Sequence, residues 1–337
     1  SEPCVPARIN AGAGTGCITC SSGRLKCFGD NLYGQLGIGK FGGSTRDALS
    51  VLALENVLEV EIGGQVCART VDAGVYCWGD GIAGQLGYDA SGSAAPMPVE
   101  GLPDVMDIAV APGDSGALSA DGTLFVWGGW DSVPRAFAAF EDADRLLGVS
   151  RSFGCVRSLD GVVRCWGFID GFLSGDYQDL DFVPSPIEVP ELFGAVAIFR
   201  EGVSWTHFVL LDSGEVLAWG QNNFGMVGNG TLEDVNAPTK IGLDDVVQLG
   251  RGDFFACSLS IDGVVRCWGA NPSGELGVGD NTHRTTPTVV EGLKDVRELA
   301  VGDKFACVLQ GDGKIMCWGS VTGTNYPVPL AVGDYQP

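Results

Sequence analysis

In the stretch CVRSLDGVVRCWG, Cys155 to Gly167, two short valine- and arginine-bearing runs flank Asp160-Gly161, the pattern of two strands joined by a tight turn. Glycine takes the positive φ that such a turn demands. With Ser158 opposite Val162 and Gly161 left-handed, the ladder runs on through 157 with 163 and 156 with 164, and sets Cys155 opposite Cys165. Opposed Cβ atoms lie about 4.5–5.5 Å apart, close to the span of a disulfide, so this register predicts a cross-strand bond.

The same hairpin recurs. Cys17 with Cys27, Cys67 with Cys77, Cys257 with Cys267 and Cys307 with Cys317 repeat the ten-residue separation, so five pairs use ten of the twelve cysteines. Glycine stands four residues before the second cysteine at Gly23, Gly161, Gly263 and Gly313; Gly74 comes one residue late, and that hairpin is expected to turn differently. GALSADGTLFVWG and FVLLDSGEVLAWG keep the turn and the Trp-Gly but set Gly116 against Val126, and Phe208 against Ala218, where the sulfurs would be. Cys4 and Cys20 are left over and can pair with each other, a connectivity that sequence alone does not prove.

The closing aromatic of each hairpin, Phe28, Trp78, Trp127, Trp166, Trp219, Trp268 and Trp318, marks seven repeats spaced by 50, 49, 39, 53, 49 and 50 residues. Self-similarity near fifty residues with short strands and Gly-rich turns predicts small sheets that bury their faces on one another. The expected fold is an all-β, seven-bladed propeller, one domain over residues 1–337. NYPVPL near the end resembles segments that precede later hairpins, and residues Tyr326 to Leu330 are expected to close the ring by joining the blade of Cys17 and Cys27.

CFGDNLYGQLGIG, CWGDGIAGQLG and CWGANPSGELGVGD resemble the repeat of the regulator of chromosome condensation family, with Gly-Gln-Leu-Gly or variants at residues 34–37, 84–87, 225–228 and 274–277. The resemblance covers essentially the whole chain and implies a seven-bladed propeller. Its members include a nuclear exchange factor for a small GTPase, a plant UV-B photoreceptor and a bacterial inhibitor of beta-lactamases, so fold alone assigns no task. The family usually places histidine two residues before the small or cysteine position of the inner strand. This chain has Thr15, Gln65, Asp114, Phe153, Thr206, Phe255 and Phe305 there. Most of its eight tryptophans are repeat markers, which does not support a light-sensing cluster.

Paired cysteines in such number point to an oxidising compartment: secreted, periplasmic or cell-surface. Structural zinc sites space paired ligands two to four residues apart and only Cys17 with Cys20 does, so metal is not expected. The chain contains no apolar run long enough to span a membrane and begins without a positively charged leader, so it reads as a mature, monomeric chain whose signal or lipid-attachment segment has been removed. A net charge of −22, from 42 acidic and 20 basic residues, disfavours nucleic acid and leaves room for a cationic partner.

Local motifs dissolve into the repeat. Arg251-Gly252-Asp253 matches an adhesion tripeptide, but the next repeat reads Val301-Gly302-Asp303, so Gly-Asp belongs to the repeat. GDGIAGQLGYDASG and GVGDNTHR carry oxygen ligands that would suit calcium by type, without a twelve-residue calcium loop, and no cofactor is expected. Of the two histidines, His207 alternates away from Ser204 and Thr206, so no nucleophilic triad and no catalytic residue is assigned.

The repeat breaks in one sector. Its third connection shrinks to GGWDSVPRAFAAFEDADR and its fourth swells to GFIDGFLSGDYQDLDFVPSP. Exposed aromatics ringed by polar groups are what binding hot spots use. The expected role is a rigid extracellular platform for a protein or glycan, contacted through Trp130, Asp131, Phe168, Asp170, Phe172, Tyr177 and Trp205. Two other classes stay open: a carboxylate-based hydrolase, which predicts paired acids at the channel mouth with one pKa raised, and an adhesive module of a surface assembly.

Overall fold

The structure is a computed structural model that describes residues 3–129, 131–150, 152–175, 181–199 and 205–332. Its strands form seven four-stranded sheets in chain order, 6–50, 57–98, 105–139, 143–188, 195–240, 246–289 and 296–331, the blades of a seven-bladed β-propeller. The chain divides into two compact units, Ser1–Gly167 with Pro184–Glu188, and Phe168–Val183 with Val189–Pro337. Within each sheet the second strand is covered on both faces, as in the wholly buried Phe255–Ser260 and Phe305–Gln310, and its sequence reads as a near-continuous apolar and small-residue run. Outer strands such as Val235–Lys240 are mostly exposed and polar.

The hairpin registers follow from the turns. Cys155 stands opposite Cys165, and the Ser158 N–H donates to Val162 O at 2.9 Å around left-handed Gly161. All twelve cysteines are joined, five pairs across hairpins and Cys4 to Cys20. Gly116 faces Val126 and Phe208 faces Ala218. A Cβ at Gly116 would stand 2.7 Å from Val149 Cγ2, so the third sheet has no room for a sulfur there.

Two expectations are corrected. The hairpin with Gly74 turns like the others: Ala73 donates to Thr70 O at 2.9 Å and itself takes the left-handed conformation, φ 62°, that glycine holds elsewhere. The C-terminal strand does not join the first blade. Thr324–Ala331 folds back on Ile315–Val321 through Thr322-Gly323, both at positive φ, the geometry of a two-residue hairpin turn, and so completes the seventh sheet. The first sheet already has its own first strand, Pro6–Gly12, paired with Thr15–Cys20, so every blade is built from contiguous chain.

Several sheets are latched to the preceding repeat by the marker tryptophan. Indole N–H groups of Trp78, Trp127 and Trp268 donate to the carbonyls of Gln35 and Gln85 in Gly-Gln-Leu-Gly turns and of Met226 in the variant Gly-Met-Val-Gly turn of the preceding repeats, at 2.8, 2.9 and 2.7 Å. Where the third connection is cut short, Trp166 turns instead to Ser150 of its own sheet, at 3.2 Å. Where the fourth is extended, a short helix, Ile169–Ser174, takes the place of the turn, and its Phe172 carbonyl accepts from Trp219. The uneven repeat lengths thus record one lost latch and one rebuilt from a helix.

The position that holds histidine in the resembling family is recast in this chain. Gln65 reaches across to Ala111 O, Asp114 O and Ser115 Oγ at 3.1, 2.8 and 2.9 Å. Phe255 and Phe305 fill the same position with apolar rings, and a Cβ at Gly252 or Gly302 would strike them at 2.1 or 2.4 Å. That contact makes the two glycines obligatory.

Candidate binding surface

Of the residues expected to form a site, Trp130 and Tyr177 lie outside the described residues. Asp131 belongs to the first unit, at the start of strand Asp131–Ala139, where it pairs with Arg135. Phe168, Asp170, Phe172 and Trp205 belong to the second. Phe168 lies edge-on to Phe182 with centroids 5.3 Å apart, and Asp170 is exposed in the first turn of the helix.

Phe172 is not a surface residue. It is 0 % exposed and packs edge-on to Trp219 at 4.9 Å and to His207 at 5.0 Å. An aromatic residue in a rebuilt latch gains more by filling the space above the next blade's tryptophan than by meeting solvent. It therefore leaves the set of binding residues.

Trp205 is 44 % exposed, and the repeat shows why its place matters. Its carbonyl accepts from Gln221 N–H at 3.0 Å, the bond by which Gly14, Gly64 and Gly113 hold Asp30, Asp80 and Gly129, and by which Phe254 and Lys304 hold Ala270 and Ser320. The first three sheets thus carry glycine at this loop position, whereas the fifth, sixth and seventh carry Trp205, Phe254 and Lys304. Phe254 is 38 % exposed and lies edge-on to Phe224, also 38 % exposed, with centroids 5.5 Å apart; the His283 ring lies 5.4 Å from Phe224, tilted to it. Phe224, Phe254 and His283 form an exposed aromatic cluster in the second unit, and Trp205 is exposed at the position of the preceding sheet equivalent to Phe254; of these, sequence reasoning found only Trp205. Phe254 was legible in RGDFFAC set beside VGDKFAC, and Phe224 in the place of Ala83 before the turn glycine.

Charge borders this surface. Burial pushes the Asp253 carboxyl up, and neighbouring Asp303 adds to the shift. Burial depresses the Arg251 guanidinium to about 10 against the opposing pull of Asp253 and Asp303. Arg251 ends strand Val246–Arg251 half-buried, with Asp253 and Asp303 beside it. Among the described residues no group of three His, Cys, Asp or Glu side chains is placed to hold a metal ion. In the two calcium-like stretches, Asp80 accepts from Ile82 N–H at 3.1 Å, and Asp280 binds Thr282 N–H and Arg284 at 2.8 and 2.7 Å.

A second charged group lies in the first unit, on strands Val57–Ile62 and Val105–Ala111. Burial, with Glu59 and Asp107 nearby, pushes Glu61 up to about 8, and Asp107, hydrogen-bonded to Glu59, is raised for the same reasons. Glu59 also takes Arg69 at 2.9 Å, and Asp107 takes the Leu146 N–H at 2.6 Å while Arg145 pulls its pKa down. Carboxyls in hydrogen-bond contact leave no space for a glycosidic bond, which needs about 5 Å or more between them. The geometry is that of a strut joining three sheets.

The strut fixes how stability follows pH. Glu61 keeps its proton in the folded state up to about pH 8, whereas an unfolded glutamate loses it near pH ~4.3. The folded state therefore binds more protons across that window, and its advantage is lost as pH rises through it. Asp72, Asp121, Asp262 and Asp312 act oppositely: hydrogen bonds from Thr70, Ser119, Ser260 and Lys314 hold them below 3.8, and their contribution is lost as pH falls through that range. The melting temperature should peak near pH ~5 and fall toward pH ~8, and Glu61→Gln should flatten the alkaline limb. Calorimetry across this range checks it; a wild-type curve level from pH ~5 to ~8 would contradict the strut.

The profile of the Regulator of chromosome condensation (RCC1) repeat matches residues 72–118, 213–259 and 262–309. The chain is 28% identical over 273 residues to the human E3 ubiquitin-protein ligase HERC2, covering 74% of this chain but only 6% of that protein. To the Ultraviolet-B receptor UVR8 of Arabidopsis thaliana it is 28% identical over 313 residues, covering 84% of this chain and 69% of the receptor. Among solved structures, yeast RCC1 (Prp20) bound to Kap60 superposes with a TM-score of 0.79 at 19% identity, covering 93% of this chain and 84% of that one. Human WBSCR16 follows at 0.77 and 18%, covering 92% and 94%. Seven four-stranded sheets, tryptophan latches on Gly-Gln-Leu-Gly or variant turns and these matches agree: the chain carries RCC1 repeats, is similar to RCC1-like propellers and adds six disulfides to that fold.

Proposed function

We propose that this protein is an extracellular, single-domain binding platform that recognises a protein or glycan partner through the Trp205, Phe224 and Phe254 surface and performs no chemistry of its own. The observation that carries the reading is the repeat position where the first three sheets hold glycine and the later ones hold Trp205, Phe254 and Lys304. Large aromatic rings that stay exposed supply contact area at low entropic cost. Six disulfides support an oxidising compartment, because such bonds persist there. The family supports binding: yeast RCC1 (Prp20) is known bound to Kap60, and its binding to Gsp1p and histones has been characterised. The −22 charge of this chain favours a partner with a cationic surface and disfavours nucleic acid.

Trp205→Ala with Phe254→Ala should lower partner affinity by tenfold or more, since aromatic anchors are each worth roughly 2 kcal/mol or more, and should move stability by no more than about 1 kcal/mol. Oxidised protein serves as bait on extracellular medium and cell surfaces, with mass spectrometry of what each form retains. Identical eluates from the wild type and the double variant would remove this surface from the reading.

A further inference from the structure

The loop after strand Val216–Gly220 contains Asn229-Gly230-Thr231, and we propose that Asn229 is an N-glycosylation site. The inference rests on the extracellular reading, because this modification is made on chains that enter the secretory pathway. All three residues are exposed. Asn229 is held by its oxygen: Oδ1 accepts from Thr231 N–H at 3.0 Å, from Thr231 Oγ1–H at 2.9 Å and from Asn222 Nδ2 at 3.3 Å. None of the described hydrogen bonds uses its Nδ2, which is the atom that would be modified.

The repeat supplies an independent observation. Asn31, Asn222 and Asn271 each pin the loop that follows them, through Nδ2, to two carbonyls: Lys40 and Gly42, Thr231 and Glu233, Asp280 and Thr282. This aligns Asn229 with Ile38 of the first sheet and Val278 of the sixth, both partly buried against core clusters. The repeat packs an apolar side chain at this place, and here alone of the three it carries an exposed asparagine with threonine two residues on. The loop is also fixed, since Gly230, at φ 87°, donates to Thr285 O at 2.8 Å on the next sheet. A glycan on Asn229 would leave from a rigid turn five residues after Phe224 and border the aromatic surface without covering a core contact.

In the reaction the Asn229 amide nitrogen attacks the anomeric carbon of an oligosaccharide carried on a lipid diphosphate. The new C–N bond forms as the C–O bond to the diphosphate breaks, the amide gives one proton to a base, and the lipid diphosphate leaves.

The test directs the full chain through the secretory pathway of a eukaryotic host and weighs the secreted protein intact before and after peptide N-glycosidase. The wild type should carry one glycan that the enzyme removes, leaving aspartate at 229. Asn229→Gln and Thr231→Ala should lose it completely, and Thr231→Ser should keep it at reduced occupancy. Asn229→Val restores the residue type of positions 38 and 278 and should fold with an unchanged melting temperature and no glycan. An oxidised, secreted wild type at bare polypeptide mass overturns the site and leaves the platform reading standing, and a glycan that survives in Asn229→Gln overturns the assignment. A glycosylated protein that retains no partner supports the site and overturns the platform.

Discussion

Full reduction of the six disulfides is expected to unfold this protein near ~37 °C, where the oxidised form is stable. Five of the bonds close rings with a sequence separation of 10, and the sixth, from Cys4 to Cys20, has a separation of 16. In the chain-entropy account each such ring removes roughly 2–3 kcal/mol of freedom from the unfolded chain. Six together rival the ~5–15 kcal/mol by which domains are usually stable. The bonds lie within single hairpins, so reduction loosens every stapled sheet at once, while the third and fifth sheets, with Gly116 and Phe208, are unaffected directly. Thermal unfolding followed by circular dichroism with and without reductant, with alkylation to verify twelve free thiols, measures the effect. A fully reduced protein whose melting point falls by only a few degrees would show that packing alone holds the propeller.

The second large effect is at Phe172. Replacing it with alanine should destabilise the fold by about 3–5 kcal/mol, the cost of deleting a fully buried aromatic ring. The ring sits between Trp219 and His207, and its backbone carbonyl latches Trp219, so the lost volume opens a cavity against the fifth sheet's marker. Leu or Met should recover part of the loss, since volume matters more here than aromaticity. Urea titration of Phe172→Ala beside Trp205→Ala separates the roles: the first should lose stability and the second should lose partner affinity. A cost below about 1 kcal/mol at Phe172 would mean that the helix collapses to fill the gap.

How the two aromatics came to differ shows what one-dimensional pattern can and cannot carry. Phe172 and Trp205 look alike in the sequence, both aromatic, both in the broken sector. The extended connection revealed that something replaced the Gly-Gln-Leu-Gly turn, but only the folded loop shows that Ile169–Ser174 coils so as to deliver Phe172 onto Trp219. Phe254 and Phe224 were visible as departures from aligned repeats, yet their adjacency depends on two loops from successive sheets meeting. The closing strand was misplaced because NYPVPL resembles the outer strands of other blades, and Thr322-Gly323, the local turn that decides its partner, carries less pattern than the strand it redirects.

The sequence by itself determined the hairpins, their register, the cysteine pairing within them and the number of blades, because each rests on contacts between residues ten or so apart and on turn chemistry that repeats seven times. The tertiary structure alone decided which strand closes the seventh sheet, which loop aromatics are core and which face solvent, and that Glu59, Glu61 and Asp107 meet. Those outcomes depend on residues roughly fifty positions apart packing against one another, and no local period encodes which side of a loop the next blade will cover.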